Sequence, residues 1–394
     1  MQEMDMRNDN IKLISYVPHG AVPDIRGFAP AIVAYNLAKN LKNITVSTIC
    51  NKETYKKDYE IDQHIGPINR IKEGKIYRRL FRKITRCDPY PLHCRAADLV
   101  NRILPDVLHA HQLEFPVDDF LRSLKKKIPV IIHAHVTNKR FSIERGLAHK
   151  YIGVSEYVKG RLIENGYPED RVEVVHNGVD TFLFSPASEE EKFSLKRAIN
   201  IPEEAFVISF VGRMQEVKGF HIFLRVAEIL LGKYPDLHIL VVGSEHDDAR
   251  REESYDLRTN LRRKLFANYD KRYREIPPMC HNGLTNIFKI TDISFLPSLS
   301  EPQGMVMIES MASGCITVSS NVGGIKESIT SGESGFLLDK PEDVDAGIQL
   351  LEELINHIER YGSIKINARK RAVSEFDWTI SAGKLEQLCL AAAC

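Results

Sequence analysis

Short runs of branched apolar residues, each followed by a helical stretch, repeat along this chain, and after residue 185 the alternation begins again. Residues 11–17 read as a first strand. Residues 28–41 read as a helix, because Ile32, Val33, Leu37 and Leu41 recur at helical spacing. Residues 44–49, 105–111, 129–135, 151–154 and 172–176 supply further strand candidates, rich in Val and Ile. The second series opens with the uninterrupted apolar run 206–211. It continues through a helix at 220–233, strands at 237–242 and 293–296, a helix at 305–313 and a strand at 316–319. Strands that alternate with helices imply parallel sheets with helices on both faces. The expectation is an α/β fold of two doubly wound parallel-sheet domains, residues 1–180 and 181–375, hinged near 178–205. Ligands bind at the carboxyl ends of the strands in such sheets.

A length of 394 residues suits two domains better than one core. The net charge of +1 hides an asymmetry. Residues 1–180 hold 29 Lys and Arg against 22 Asp and Glu, a balance of +7; residues 181–394 hold 25 against 31, a balance of −6. A basic first half points to an anionic partner, either a phosphorylated acceptor or an acidic membrane surface. Nucleic acid is not among the expected partners. The seven cysteines form no C-x-x-C pair and no regular spacing, which argues against a disulfide framework or a zinc site and for a reducing compartment. Residues 1–10 are too polar for the apolar core of a secretory signal, and no apolar run approaches the ~20 residues that span a bilayer. The expected location is cytoplasmic.

Two segments carry the chemistry. In EPQGMVMIESMASG, residues 301–314, Glu301 and Glu309 stand eight apart around a glycine-containing turn that opens a helix. Glu301 falls in the loop and Glu309 about two turns into the helix. The amides of Gly304, Met305 and Val306 would form an electropositive helix start, suited to sugar hydroxyls and phosphate. In FVGRMQEVKG, residues 210–219, Gly212 at a strand end permits close backbone approach to a ligand. Arg213 offers a bidentate fork and Lys218 a mobile point charge. The plain alternative for both segments is a solvated surface turn.

Together these motifs resemble glycosyltransferase family 4, the retaining enzymes of the two-Rossmann GT-B fold, with the nearest likeness to spore-coat and envelope-polysaccharide transferases. The carriers are Glu301 to Glu309, residues 309–314 (ESMASG), residues 323–327 (GGIKE) and 332–337 (GESGFL), together with the G-R-x-x-x-x-K-G pattern at 212–219. Ser310 replaces the family's usual Ala. Residues 153–184 match the family's V-S … N-G-V-D … F connector, in which Asn177 and Gly178 suit a turn and Asp180 a cap. The loop at 19–29 occupies the place of the family's glycine-rich loop, but only Gly27 remains of the usual adjacent pair; it is expected near the donor phosphate. The resemblance also implies that the helix in 376–394 crosses back onto the first domain, with Trp378 packed at the junction.

The resemblance implies transfer of a sugar from a nucleotide-sugar donor, a UDP-sugar foremost, to a glycan, lipid-linked or other hydroxyl acceptor, with retention and without a metal or other cofactor. Glu309 would hold the ribose, Glu301 and the 304–306 amides the sugar, and Arg213 with Lys218 the departing diphosphate. The attack is expected on the front face, the leaving phosphate taking the acceptor's proton. His109, His111, His133 and His135 alternate on two strands. Four histidines can suggest zinc, but no acidic or cysteine ligand completes a known spacing. By resemblance His111, and after it His135, would reach the donor sugar. Two further readings concern the surface. Residues 72–86 are basic and amphipathic, fit for an anionic membrane at its inner face or for packing on their own domain. Residues 244–275 read as a charged, solvated excursion. The rival functions are a non-hydrolysing sugar-nucleotide epimerase of the same fold and a non-catalytic sugar-binding module. A dehydrogenase is disfavoured, since no G-x-G-x-x-G follows either leading strand.

Overall fold

The apolar runs pair as parallel strands in two sheets. The computed structural model describes residues 11–18, 22, 28–50, 68–70, 76–85, 91–111, 117–136, 147–245 and 252–393. In the first sheet the strands are β1 (Ile11–Val17), β2 (Ile44–Cys50), β3 (Ile68–Arg70), β4 (Val107–His111), β5 (Val130–Ala134), β6 (Lys150–Gly153) and β7 (Val172–Val174). Their spatial order is β3-β2-β1-β4-β5-β6-β7. The second sheet holds β8 (Phe206–Val211), β9 (Leu237–Val242), β10 (Tyr273–Ile276), β11 (Ile293–Leu296), β12 (Ile316–Ser320) and β13 (Phe336–Leu338), ordered β10-β9-β8-β11-β12-β13. Each sheet grows outward in one direction and then crosses to the other side of its first strand. The strand order therefore reverses between β1 and β4 and again between β8 and β11, and such reversals open a crevice at the carboxyl edge.

One compact unit ends at His176 and takes back the helix Trp378–Ala393; the other runs from Asn177 to Asp377. In the first unit Ile14, Tyr16, Leu108, Ile132 and Tyr151 are fully buried between the sheet and its helices. The helix Trp378–Ala393 packs on the helix Ala29–Asn40. Glu386 fixes it there, accepting hydrogen bonds from the Lys42 and Asn43 amides at 3.1 and 3.4 Å. In the second unit Phe210, Phe220, Phe223 and Phe295 form one aromatic cluster within the core. Burying each such side chain contributes about 2–3 kcal/mol. No helix of the described residues is long and apolar enough to cross a membrane.

Two differences from the sequence reading stand out. First, β3, β10 and β13 were not foreseen; each is three or four residues long and lies at a sheet edge. Second, residues 252–276 are no solvated excursion. They form the helix Tyr255–Tyr269 and strand β10, and they bury Arg258, Leu265 and Tyr273. Arg258 is fully buried and bonds the Glu252 carboxylate at 2.6 Å and Ser254 Oγ at 2.7 Å. Arg262 likewise bonds the Glu275 carboxylate, at 2.7 and 2.6 Å.

Candidate active site

The reversal beside β8 places two loops side by side, because β8 pairs with β11 and both strands end at the same edge. The loop after β8 runs through Gly212, Arg213 and a short 3-10 turn, Glu216–Lys218, into the helix Phe220–Lys233. Gly219 joins turn to helix with φ +67°, and a Cβ there would stand 1.8 Å from the Pro297 carbonyl oxygen in the loop after β11. Only glycine allows the two loops to approach so closely. A backbone hydrogen bond from Leu299 to Val217, 2.9 Å, ties them.

Across this seam Lys218 Nζ forms an ion pair with Glu301, both side chains largely buried. Gly304, at φ +90°, then turns the chain into the helix Met305–Ala312; a Cβ there would press on Glu301 Cγ at 3.3 Å and Met307 Sδ at 2.8 Å. Gly324 of the GGIKE segment donates its amide to the Glu301 carbonyl at 3.0 Å. Gln303 uses both ends of its amide on Asn177, accepting from its N–H at 2.6 Å and donating to its C=O at 3.1 Å. The connector is thereby fixed to the acidic loop, while Asp180 caps the next turn through the Leu183 amide.

Glu309, in the second turn of that helix, is buried, and burial pushes its carboxyl up to about 7. Its nearest titratable neighbour is His281 Nε2, at 3.7 Å from Oε1. Burial lowers His281 below its ordinary value, so it faces Glu309 as a neutral ring. Ser310, which stands where alanine is usual, is fully buried, and its hydroxyl meets Thr317 Oγ1 at 2.8 Å. The turn is also braced from outside. The Glu216 amide donates to Glu252 at 2.9 Å, and the Ser254 amide donates to the Glu216 carboxylate at 3.0 Å.

Of the residues singled out by sequence, Lys218 and Glu301 meet directly, Gly304 turns the chain beside Glu301, and Glu309 lies in the second turn of the helix that follows. Met305 and Val306 open that helix, with side chains partly exposed. Gly212 (φ +150°) donates its amide to Val242 at 2.9 Å. Arg213 is exposed beside them. Gly27 lies outside the described residues. Sequence reasoning missed His281, Gln303, Glu252 and Arg258. Gln303 was legible in principle, lying between the two glutamates; the others carry no local signal.

The histidines of the first unit form a separate cluster on one face of β4 and β5. His109 Nε2 lies 3.2 Å from His133 Nδ1, and His111 Nδ1 lies 3.1 Å from His135 Nε2. Ser15 Oγ of β1 lies 3.3 Å from His111 Nε2. His111 is therefore wholly buried with both ring nitrogens engaged inside its own unit. His133 Nε2 and His135 Nδ1 are both buried and without a hydrogen-bond partner among the described residues. Burial pushes His109 and His135 down to about 3 and holds His111 and His133 well below the ordinary range, so all four are neutral rings at neutral pH. Nitrogens of His109, His111 and His133 fall within 4.8 Å of one another, a grouping close enough to hold a metal ion. At 3.1–3.2 Å, however, each imidazole pair is at the distance at which two neutral rings share one proton.

Residues 191–371 match the family model described as glycosyl transferases group 1, and residues 31–182 match that described as glycosyltransferase family 4. A D-inositol 3-phosphate glycosyltransferase of Corynebacterium urealyticum is 30% identical over 228 residues, 57% of this chain and 53% of that protein. The chain thus spans about half the length of the inositol phosphate glycosyltransferases that it matches. A lipopolysaccharide 1,2-N-acetylglucosaminetransferase of Salmonella typhimurium is 24% identical over 388 residues, 95% of this chain and 97% of that one. Among solved structures, Anabaena Alr3699/HepE in complex with UDP and glucose superposes with a TM-score of 0.77 at 17% identity, over 97% of this chain and all of that one. A glycosyltransferase from Rickettsia africae gives 0.77 at 20%, over 98% and 99%. These likenesses show the GT-B fold of two Rossmann-like domains.

Proposed function

Because the chain belongs to the family 4 glycosyltransferases, with a group 1 glycosyltransferase region in its second half, we propose that it transfers a sugar from a nucleotide-sugar donor to a hydroxyl acceptor. The observation that carries this reading is the Lys218–Glu301 pair at the strand reversal, in loops that also hold exposed Arg213 and lead into a helix start. Two cations at the carboxyl edge suit a diphosphate, and carboxylates suit sugar and ribose hydroxyls. Lys218 would share its protons between Glu301 and the phosphate, and Arg213 would add a fork. Their charge stabilises the departing diphosphate and stands in for a metal ion. Glu309 would accept hydrogen bonds from the ribose, and the amides at the start of Met305–Ala312 would face the donor.

UDP is the favoured nucleotide, supported by the complexes of the structural relatives, and retention is the favoured outcome. In the first unit His135, rather than His111, meets the ligand. The acceptor is a glycan or lipid-linked sugar, a class supported by the lipopolysaccharide-directed relative. The helix Ile76–Thr85 exposes Leu80, Phe81 and Ile84 among basic residues, which supports peripheral contact with an anionic membrane. The test is to incubate the chain with a UDP-sugar panel and glycan or lipid-linked acceptors, with and without excess EDTA. The expected result is acceptor-dependent UDP release with an unchanged rate in EDTA and an α-linked product from an α-linked donor. Formation of a new UDP-sugar without acceptor would make the protein an epimerase instead.

A further inference from the structure

The amino edge of the second sheet, opposite the edge that carries Lys218 and Glu301, holds a pocket of about 560 Å³. It is built by the turns that lead into β8, β9 and β10. Pro202, Ala205 and Pro235 supply apolar surface, and Lys271, Arg272 and Arg274 supply charge around the His238 ring. The volume falls in the range of roughly 300–1,000 Å³ that small-molecule sites occupy.

The cations here are held in place without being neutralised. Arg272 donates to the carbonyls of Tyr234 and Leu231, at the end of the helix Phe220–Lys233, at 2.8 and 3.1 Å. Arg274 donates to the carbonyls of Ile199 and Asn200, at the end of the helix Glu189–Ala198. Buried Lys196 donates to the carbonyls of Glu203 and Ala205, at 2.7 Å each. Carbonyls carry no net charge, and a guanidinium has five N–H groups, so both charge and donors remain. Lys271 is exposed and has no partner among the described residues. None of the four forms an ion pair there. Glu204 and Asp236 also line the pocket, both exposed and unpaired among the described residues.

Helix capping accounts for Arg272 and Arg274 but not for Lys271 or His238. His238 is buried, and its Nδ1 has no hydrogen-bond partner among the described residues. Burial, and after it the charges of Arg274, Arg272 and Lys196, push its pKa down to about 4, against the pull of Asp236. Cations thus converge on a neutral ring in the acidic half of the chain, and no carboxylate pairs with them.

We propose that this pocket is a second ligand site, remote from the donor site, that binds the phosphate group of a small phosphorylated molecule. A phosphate monoester brings the nearly dianionic charge that the cluster lacks, and guanidinium forks match its oxygens. The pocket has room for more than a phosphate, and Pro202, Ala205 and Pro235 offer the rest of the ligand an apolar wall.

His238 serves as the reporter in the test. In the full chain labelled with 15N-histidine, His238→Gln assigns its ring signals. A hexose monophosphate or inorganic phosphate is then titrated in at constant ionic strength. The expected result is a saturable shift of the His238 signals and a rise in its protonation midpoint, because an added anion favours the imidazolium. Lys271→Glu should weaken binding by about tenfold or more, as reversing a charge beside a phosphate does. Its side chain makes no bond among the described residues, so the fold is left intact. Arg272→Gln should weaken binding likewise. Lys218→Ala, at the opposite edge, should leave the affinity within about twofold. None of these readouts requires transfer activity. No saturable shift, a shift that both charge variants keep in full, or one lost in Lys218→Ala overturns the site. Equal affinity for the ester and inorganic phosphate overturns the phosphorylated molecule as its occupant.

Discussion

Lys218 and Glu301 lie 83 positions apart in sequence and form one buried ion pair, so each holds the other's charge where solvent is scarce. A diphosphate arriving there competes for an ammonium already in place, which avoids reorganisation when charge develops on the leaving group. Lys218→Ala should therefore lower kcat by roughly 100-fold or more, with a much smaller effect on KM. Steady-state kinetics checks this, and comparable kcat in mutant and parent would remove Lys218 from that role. Glu309 makes a pH prediction. Its folded pKa is raised from 4.5 to about 7 by burial, so the fold favours the protonated carboxyl. That contribution, at most about 3 kcal/mol, is complete below the unfolded pKa and is lost as pH rises through 7. Ribose hydroxyls donate to the ionised form, so affinity for UDP-glucose should weaken as pH falls below about 7, approaching tenfold per pH unit. Calorimetric titration across pH 5.5–8 checks this; an affinity flat with pH in the parent, or as steep in Glu309→Gln, would refute it.

At the scale of elements, the helix Ile76–Thr85 and the segment 252–276 invert what their compositions imply. Charge richness in 252–276 reads as solvation, yet Arg258 and Glu252 satisfy each other and brace the Glu216 turn that leads to Lys218. Apolar residues in Ile76–Thr85 read equally well as packing, yet Leu80 (54%), Phe81 (44%) and Ile84 (80%) are exposed. Replacing these three by Ser should cut binding to vesicles rich in anionic lipid and leave vesicles of neutral lipid unaffected. Co-sedimentation measures this, and equal binding by parent and variant would assign the helix another partner. The long strands were legible because uninterrupted Val and Ile runs have few other homes. β3, β10 and β13 were not, because three or four residues at an edge carry no periodicity. The site was legible as far as residue type and spacing carry it, through Lys218, Glu301 and Glu309. Which His111 nitrogen is spent inside the unit depends on Ser15 across the sheet, and no local pattern records that. His281 reaches Glu309 for the same reason, from a helix that announces nothing.

Over the whole molecule one construction occurs twice: a parallel sheet whose order reverses, with polar groups at the carboxyl edge of the reversal. In the first unit those groups are neutral imidazoles and a hydroxyl; in the second they are cations and carboxylates. Cations and carboxylates are the groups that suit the charged nucleotide end of the proposed donor. A ligand that binds only the folded state stabilises it by RT ln(1 + [L]/Kd), about 2.7 kcal/mol at a hundred times Kd. The direct test is a thermal-shift panel of UDP-, GDP- and ADP-sugars on the parent, Lys218→Ala and Glu309→Gln. The account predicts that one nucleotide class, UDP foremost, raises the parent's Tm by several degrees, that Glu309→Gln loses most of the shift and that Lys218→Ala keeps most of it. A shift that Glu309→Gln keeps in full, or none with any nucleotide sugar, would contradict it.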